Sequence, residues 1–96
     1  MLNLNDTDKK EYKISKEVEK KILGETFIKP KQVVTYKFNG LKGCTWEIDT
    51  KKYPVRFKAN PNDDREIHLI WDSSYSGQFD IMCNGHSKTV IVESLF

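Results

Sequence analysis

"FDIMCNGHSKTVIV" occupies residues 79–92 and carries the clearest structural signal in the chain. Phe79, Ile81 and Cys83 fall at every second position, and Val90 and Val92 do the same after an interruption. A period of two over a short run marks a half-buried strand. The interruption contains Asn84-Gly85. A two-residue type I′ loop needs positive φ at both positions, which Asn and Gly tolerate best. The stretch therefore reads as an antiparallel hairpin.

The same alternation runs upstream. Val34, Tyr36 and Phe38 share a face, as do Cys44, Trp46 and Ile48, then Val55 and Phe57, then Ile67, Leu69 and Trp71. Turn chemistry separates these runs: Asn39-Gly40, Lys42-Gly43, "NPNDD" at 60–64 and "DSSYSG" at 72–77. Short strands at this spacing point to an all-β sandwich or barrel. The expected core is Tyr36, Phe38, Trp46, Ile48, Phe57, Ile67, Leu69, Trp71, Phe79, Ile81, Val90 and Val92.

With 96 residues, of which 38% are hydrophobic, one small domain with a thin core is expected. A formal charge of +2 is too mild for a dedicated nucleic-acid binder. No run approaches the roughly 18 apolar residues of a membrane helix, and "MLNLNDTDKKEY" lacks the apolar region of a secretory signal. The expectation is a protein used without Sec export, so the sequon Asn5-Asp6-Thr7 carries no meaning. Residues 1–21 form a charged arm of mixed sign, and the folded domain spans 22–96. Ile14, Val18 and Ile22 recur every fourth residue behind Ser15, which predicts a short amphipathic helix. Such a helix is marginal alone, so the arm is either flexible or ordered by a partner.

Catalytic motifs are missing: there is no G-x-S-x-G elbow, P-loop, H-E-x-x-H or C-x-x-C. His68 is expected on an outward strand face, and Asp63-Asp64 lacks the spacing of a calcium loop. Lys29, Lys31, Lys51 and Lys52 suit a protected sheet edge better than a nucleic-acid platform, having no interleaved aromatics. No metal site, cofactor or catalytic residue is assigned. The outward apolar residues are the more informative set. Parity places Met82 and Ile91 outside on neighbouring strands, and Val33 and Ile70 outside on the other sheet. Met82 and Ile91 with Phe96 make a candidate partner-binding face, to which the arm adds Ile14 and Val18.

Taken in order, Ile22, Gly24, Ile28, Pro30 and Tyr36, then Trp46, then Ile67-x-Leu69-x-Trp71, then Ser76-Gly77-x-Phe79-x-Ile81 form a pattern. Over residues 22–95 it resembles the PKD-like and bacterial Ig-like sandwich modules. The resemblance implies an antiparallel Ig-like β-sandwich of seven strands, lettered A near 23–28, B 32–38, C 44–48, C′ 54–58, E 66–71, F 78–83 and G 88–94. It also implies that C and F are neighbours. If Trp46 faces Ile81, then Cys44 faces Cys83. Reduced, packed thiols are the expectation, since a cytoplasmic route keeps them reduced and cross-strand neighbours fit disulfide geometry poorly. A disulfide stays open as the alternative, and zinc lacks enough ligands.

Modules of this kind occur as beads in bacterial surface proteins. They also occur in tail, fibre and capsid-decorating proteins of phages, including those of Bacteroides and the crAss-like group. A single bead with a charged arm implies a non-enzymatic virion protein, made in the host cytoplasm. It would bind the major capsid protein or another virion protein, or attach a head fibre, with a host-surface glycan as a further partner. Neither nucleic acid nor membrane is expected among its partners. The alternative is a single Ig- or PKD-like binding module of a bacterial surface or carbohydrate-related protein; an enzyme ranks third.

Overall fold

A computed structural model describes residues 19–94. They form eight strands: β1 (Ile22–Leu23), β2 (Phe27–Ile28), β3 (Val33–Phe38), β4 (Trp46–Glu47), β5 (Val55–Asn60), β6 (Asp63–Trp71), β7 (Gly77–Cys83) and β8 (His86–Val92). No helix occurs among the described residues. One sheet has the order β1-β3-β6-β5 and the other β2-β8-β7-β4. In immunoglobulin lettering these are A-B-E-D and A′-G-F-C, the two layers of an Ig-like sandwich.

The Asn84-Gly85 hairpin is present. Cys83 pairs with His86 across Asn84-Gly85, whose φ values are 50° and 86°. Parity holds along β7, where Phe79, Ile81 and Cys83 are buried and the residues between them are exposed. The same alternation buries Val34, Tyr36 and Phe38 on β3, and Ile67, Leu69 and Trp71 on β6. Trp71 stacks on Phe79 with ring centroids 5.7 Å apart, joining the two layers. Gly77 allows this: a Cβ there would lie 2.7 Å from the Trp71 ring. The Trp71 indole nitrogen donates to Tyr75 O at 2.8 Å, so the "DSSYSG" turn is folded onto the ring.

Three strand expectations are revised. The first strand is two, because Gly24 (φ 150°) kinks the chain between the sheets: β1 pairs antiparallel with β3, and β2 pairs parallel with β8. The 54–58 segment is not C′. As β5 it pairs with β6, taking the D position in the opposite sheet. The cause is local. Asp49 Oδ1 accepts the amides of Lys51 and Lys52, Tyr53 N donates to Asp49 O at 3.0 Å, and Pro54 follows, so the chain leaves its sheet after Glu47. Third, "NPNDD" is mostly strand: only Pro61-Asn62 turn, and β6 starts at Asp63.

The core also differs in its rim. Trp46, Ile48 and Phe57, expected inside, are only half-buried against it, while Ile22, Ile28, Val34 and Val55 complete it. Ile22, the third member of the expected helical stripe, lies in β1 opposite Phe38. Ile14, Val18 and Phe96, and most of the expected helix, lie outside the described residues. The arm is tied down from Glu19 onward. Asn39 donates to Glu19 O at 2.9 Å, accepts Lys21 N at 2.7 Å through its side chain, and donates its own amide to Lys21 O at 3.2 Å.

The strand switch rests on Tyr36. Its ring is fully buried beneath Gly24, and its hydroxyl donates to Glu25 O at 2.6 Å. A Cβ on Gly24 would fall inside the Tyr36 ring envelope, in a backbone conformation that L-residues rarely adopt. Gly24→Ala is expected to cost at least ~2 kcal/mol in a urea melt. Burial, then the Glu25 charge, push the Tyr36 hydroxyl up to about 12 from an ordinary 10.0. A folded-state pKa above the unfolded one means stabilisation that is complete below pH 10 and lost as pH rises through 12. The difference corresponds to roughly 2–3 kcal/mol. Urea midpoints across this alkaline range should therefore fall steeply for the parent chain. They should fall much less for Tyr36→Phe, which starts roughly 1 kcal/mol lower for the lost hydrogen bond.

Candidate functional site

Because β4 is only two residues long, the sandwich is open along the side between its edge strands β4 and β5. A cleft of about 630 Å³ occupies this opening. Its apolar floor consists of Trp46, Ile48, Tyr53 and Phe57. Glu47, Asp49 and Asp80 stand around that floor, and Met82 and Thr50 complete the wall. The size is within the range of small-molecule and side-chain pockets.

Each wall has a structural cause. Trp46 is anchored across the sandwich: its indole nitrogen donates to Asp64 O on β6 at 2.7 Å. The Asp64 carboxylate in turn accepts Gly43 N and Cys44 N, at 3.0 and 3.2 Å from Oδ2, so the chain entering β4 is held to the other sheet. Glu47 pairs with Met82 on the outward face of β7. Asp80 lies on that face too and accepts the Thr89 hydroxyl at 2.7 Å. Tyr53 is packed within 6.4 Å of both Trp71 and Phe79, and Lys52 Nζ sits 5.4 Å from the Tyr53 ring centre. That contact already places one ammonium over an aromatic face of the cleft.

The sequence-derived candidates fall in different places. Met82 lines the cleft. Ile91 shares its sheet face but stands opposite Gln78 and Phe27, whereas Met82 stands opposite Ser87. Ser87 and Ile91 are four residues apart, about 13 Å along the strand, and the Thr89–Asp80 pair lies between. The two residues therefore do not make one continuous patch. The apolar neighbour of Ile91 is Phe27, 56% exposed, which the undivided first strand concealed. Val33, 67% exposed, does face outward beside Ile70.

Other singled-out groups have local partners. His68 Nδ1 shares a hydrogen bond with Thr35 Oγ1 at 2.9 Å on an outward face. Arg65 grips both oxygens of Asp63, at 2.9 and 3.0 Å, and its hydrogen bonds hold the Asp63 carboxyl down to about 2. Lys31 pairs with Asp72 at 2.8 Å. Among the described residues, no three His, Cys, Asp or Glu side chains gather as a metal-binding set. No helix there is long and apolar enough to cross a membrane.

Fold and cleft together define an Ig-like β-sandwich with an acidic, aromatic-floored opening along one side. No protein-family model, curated protein or solved structure matches the chain.

The two tryptophans report on the cleft separately, since Trp71 is 4% exposed and Trp46 is half-buried in the opening. Caesium should quench the Trp46 fluorescence more efficiently than iodide at equal ionic strength, because carboxylates concentrate cations near the indole. Combining Glu47→Gln with Asp80→Asn should remove that preference, and Trp46→Phe should remove the quenchable emission itself. Steady-state quenching titrations on the three proteins measure both effects.

Proposed function

We propose that this chain is a non-catalytic binding module that holds a basic segment of a protein partner against its open β4–β5 side. The observation that carries the reading is the grouping of Glu47, Asp49 and Asp80 around the Trp46, Tyr53 and Phe57 floor. An incoming Lys or Arg buries its aliphatic stem on the aromatic rings while its charged head meets carboxylates. Exposed ion pairs alone contribute little, so the aromatic floor is what makes such a contact worth forming.

The narrower reading is an auxiliary virion protein that decorates a phage shell or attaches a head fibre, with the major capsid protein as partner. It is carried by the resemblance of residues 22–95 to the Ig-like modules of virion proteins. Repetition on a symmetric shell would multiply a weak cleft contact into firm attachment. The second reading is a bead of a bacterial surface or carbohydrate-related protein that binds glycan. Aromatic faces beside carboxylates, as Trp46 and Tyr53 stand here, are what favour it.

Titration of the isotopically labelled protein by NMR separates these readings. A Lys/Arg-rich peptide should shift the amides of residues 46–53 and 80–82. The effect should weaken as salt rises and should vanish when Glu47→Gln and Asp80→Asn are combined. A neutral oligosaccharide shifting the same amides without salt dependence would favour the glycan reading. Shifts confined to other surfaces would sink the cleft as the site. Peptide mass spectrometry of gradient-purified phage particles decides the virion reading: many copies per particle support it, and absence overturns it.

A further inference from the structure

The two cysteines lie in one neighbourhood of the core, but not in the way that opposed strand positions would bring them together. The β4–β7 register pairs Trp46 with Cys83, two residues from the expected pairing with Ile81, so Cys44 does not stand opposite Cys83. In a regular ladder this diagonal would hold the Cα atoms about 7–8 Å apart, too far for a disulfide. Residue 44, however, precedes β4 and is free of the ladder. Asn84, adjacent to Cys83, draws it inward: its side chain accepts Thr45 N at 3.1 Å and donates to Gly43 O at 3.4 Å, bracketing Cys44 on both sides. The Cys44 thiol packs against the core cluster to which Cys83 belongs. Cys44 Sγ donates to Leu41 O at 3.7 Å. Burial first, and then the neighbouring Cys44 thiol, push the Cys83 thiol up to about 12. Both are free.

We infer that Cys44 and Cys83 form a dithiol site that closes reversibly to an intramolecular disulfide when a small-molecule disulfide is supplied. Cys44 is half-exposed, whereas Cys83 is 1% exposed, so the order of events follows from access. The Cys44 thiolate attacks one sulfur of oxidised glutathione, and the first glutathione leaves as its thiolate. The Cys83 thiolate then attacks the Cys44 sulfur of the mixed disulfide, and the second glutathione leaves. Each attacking cysteine gives its proton to solvent. The protein dithiol is oxidised by two electrons and one glutathione disulfide is reduced to two thiols. The bond staples the β3–β4 loop to β7, the loop that carries Leu41 at 81% exposure. It thereby stiffens the end of the sandwich where the β3–β4, β5–β6 and β7–β8 connections lie together.

The test is to incubate the folded full chain with excess oxidised glutathione and record intact mass, a peptide map and the melting temperature. The expected product has lost two hydrogen masses, carries no glutathione, and yields a Cys44–Cys83 cross-linked peptide. Its melting temperature should rise on the order of 10 °C and return on reduction. Cys83→Ser should instead stop at a single glutathione adduct on Cys44, with no gain in melting temperature. If Cys83→Ser fails to fold, the parent chain still decides the matter. Stable glutathione adducts on the folded parent, or a cross-link formed only in denaturant, would overturn the inference.

Discussion

The hydrogen bond from the Tyr36 hydroxyl to Glu25 O, made under the flat face that Gly24 presents, is the constraint on which the architecture turns. It fixes the point at which one run of chain stops serving the first sheet and begins serving the second. Without that switch, β2 would not reach β8, and the edge of β8 would be left unpaired beside Ile28 and Val92, both fully buried. A buried phenol with an unmet hydroxyl costs more than the hydrogen bond is worth on its own. The side chain and the carbonyl it caps therefore hold each other in place. The neighbouring layer contact, Trp71 on Phe79 above Gly77, follows the same logic of a ring laid on a residue that has no side chain.

Much of this was legible from alternation alone. The Asn84-Gly85 hairpin and the inward faces of β3, β6 and β7 are consequences of period two and turn chemistry, whereas the adjacency of β4 to β7 was implied only by the Ig-like resemblance. What escaped was whatever depends on a single backbone excursion. The Gly24 kink leaves the apolar pattern of residues 22–28 nearly unchanged while sending its two halves to different sheets. The Asp49 turn likewise carries Val55 and Phe57 to the opposite layer without altering which of their faces is apolar. A period-two reading assigns faces; it does not assign sheets.

The cleft was half legible for the same reason. The outward positions of Met82, Glu47 and Asp80 followed from parity, but the opening beside them did not. Trp46, Ile48 and Phe57 look like core in the sequence because they are apolar at inward positions. They are half-exposed because β4 ends after two residues and no further strand among the described residues covers them. The tie between Trp46 and Asp64 also has no signature, since it runs from an indole to a main-chain carbonyl on a strand whose first residues carry turn chemistry.

The parallel pairing of β2 with β8 has a mechanical meaning. The chain enters the sandwich near Phe38, at one pole, and leaves it after Val92, at the other. Tension between those two points pulls β2 and β8 in opposite directions along their common axis. The bonds from Ile91 N to Thr26 O at 2.7 Å and from Glu93 N to Ile28 O at 2.9 Å are then loaded together in shear rather than opened one after another. A strand pair in that geometry resists force best along the line of the chain.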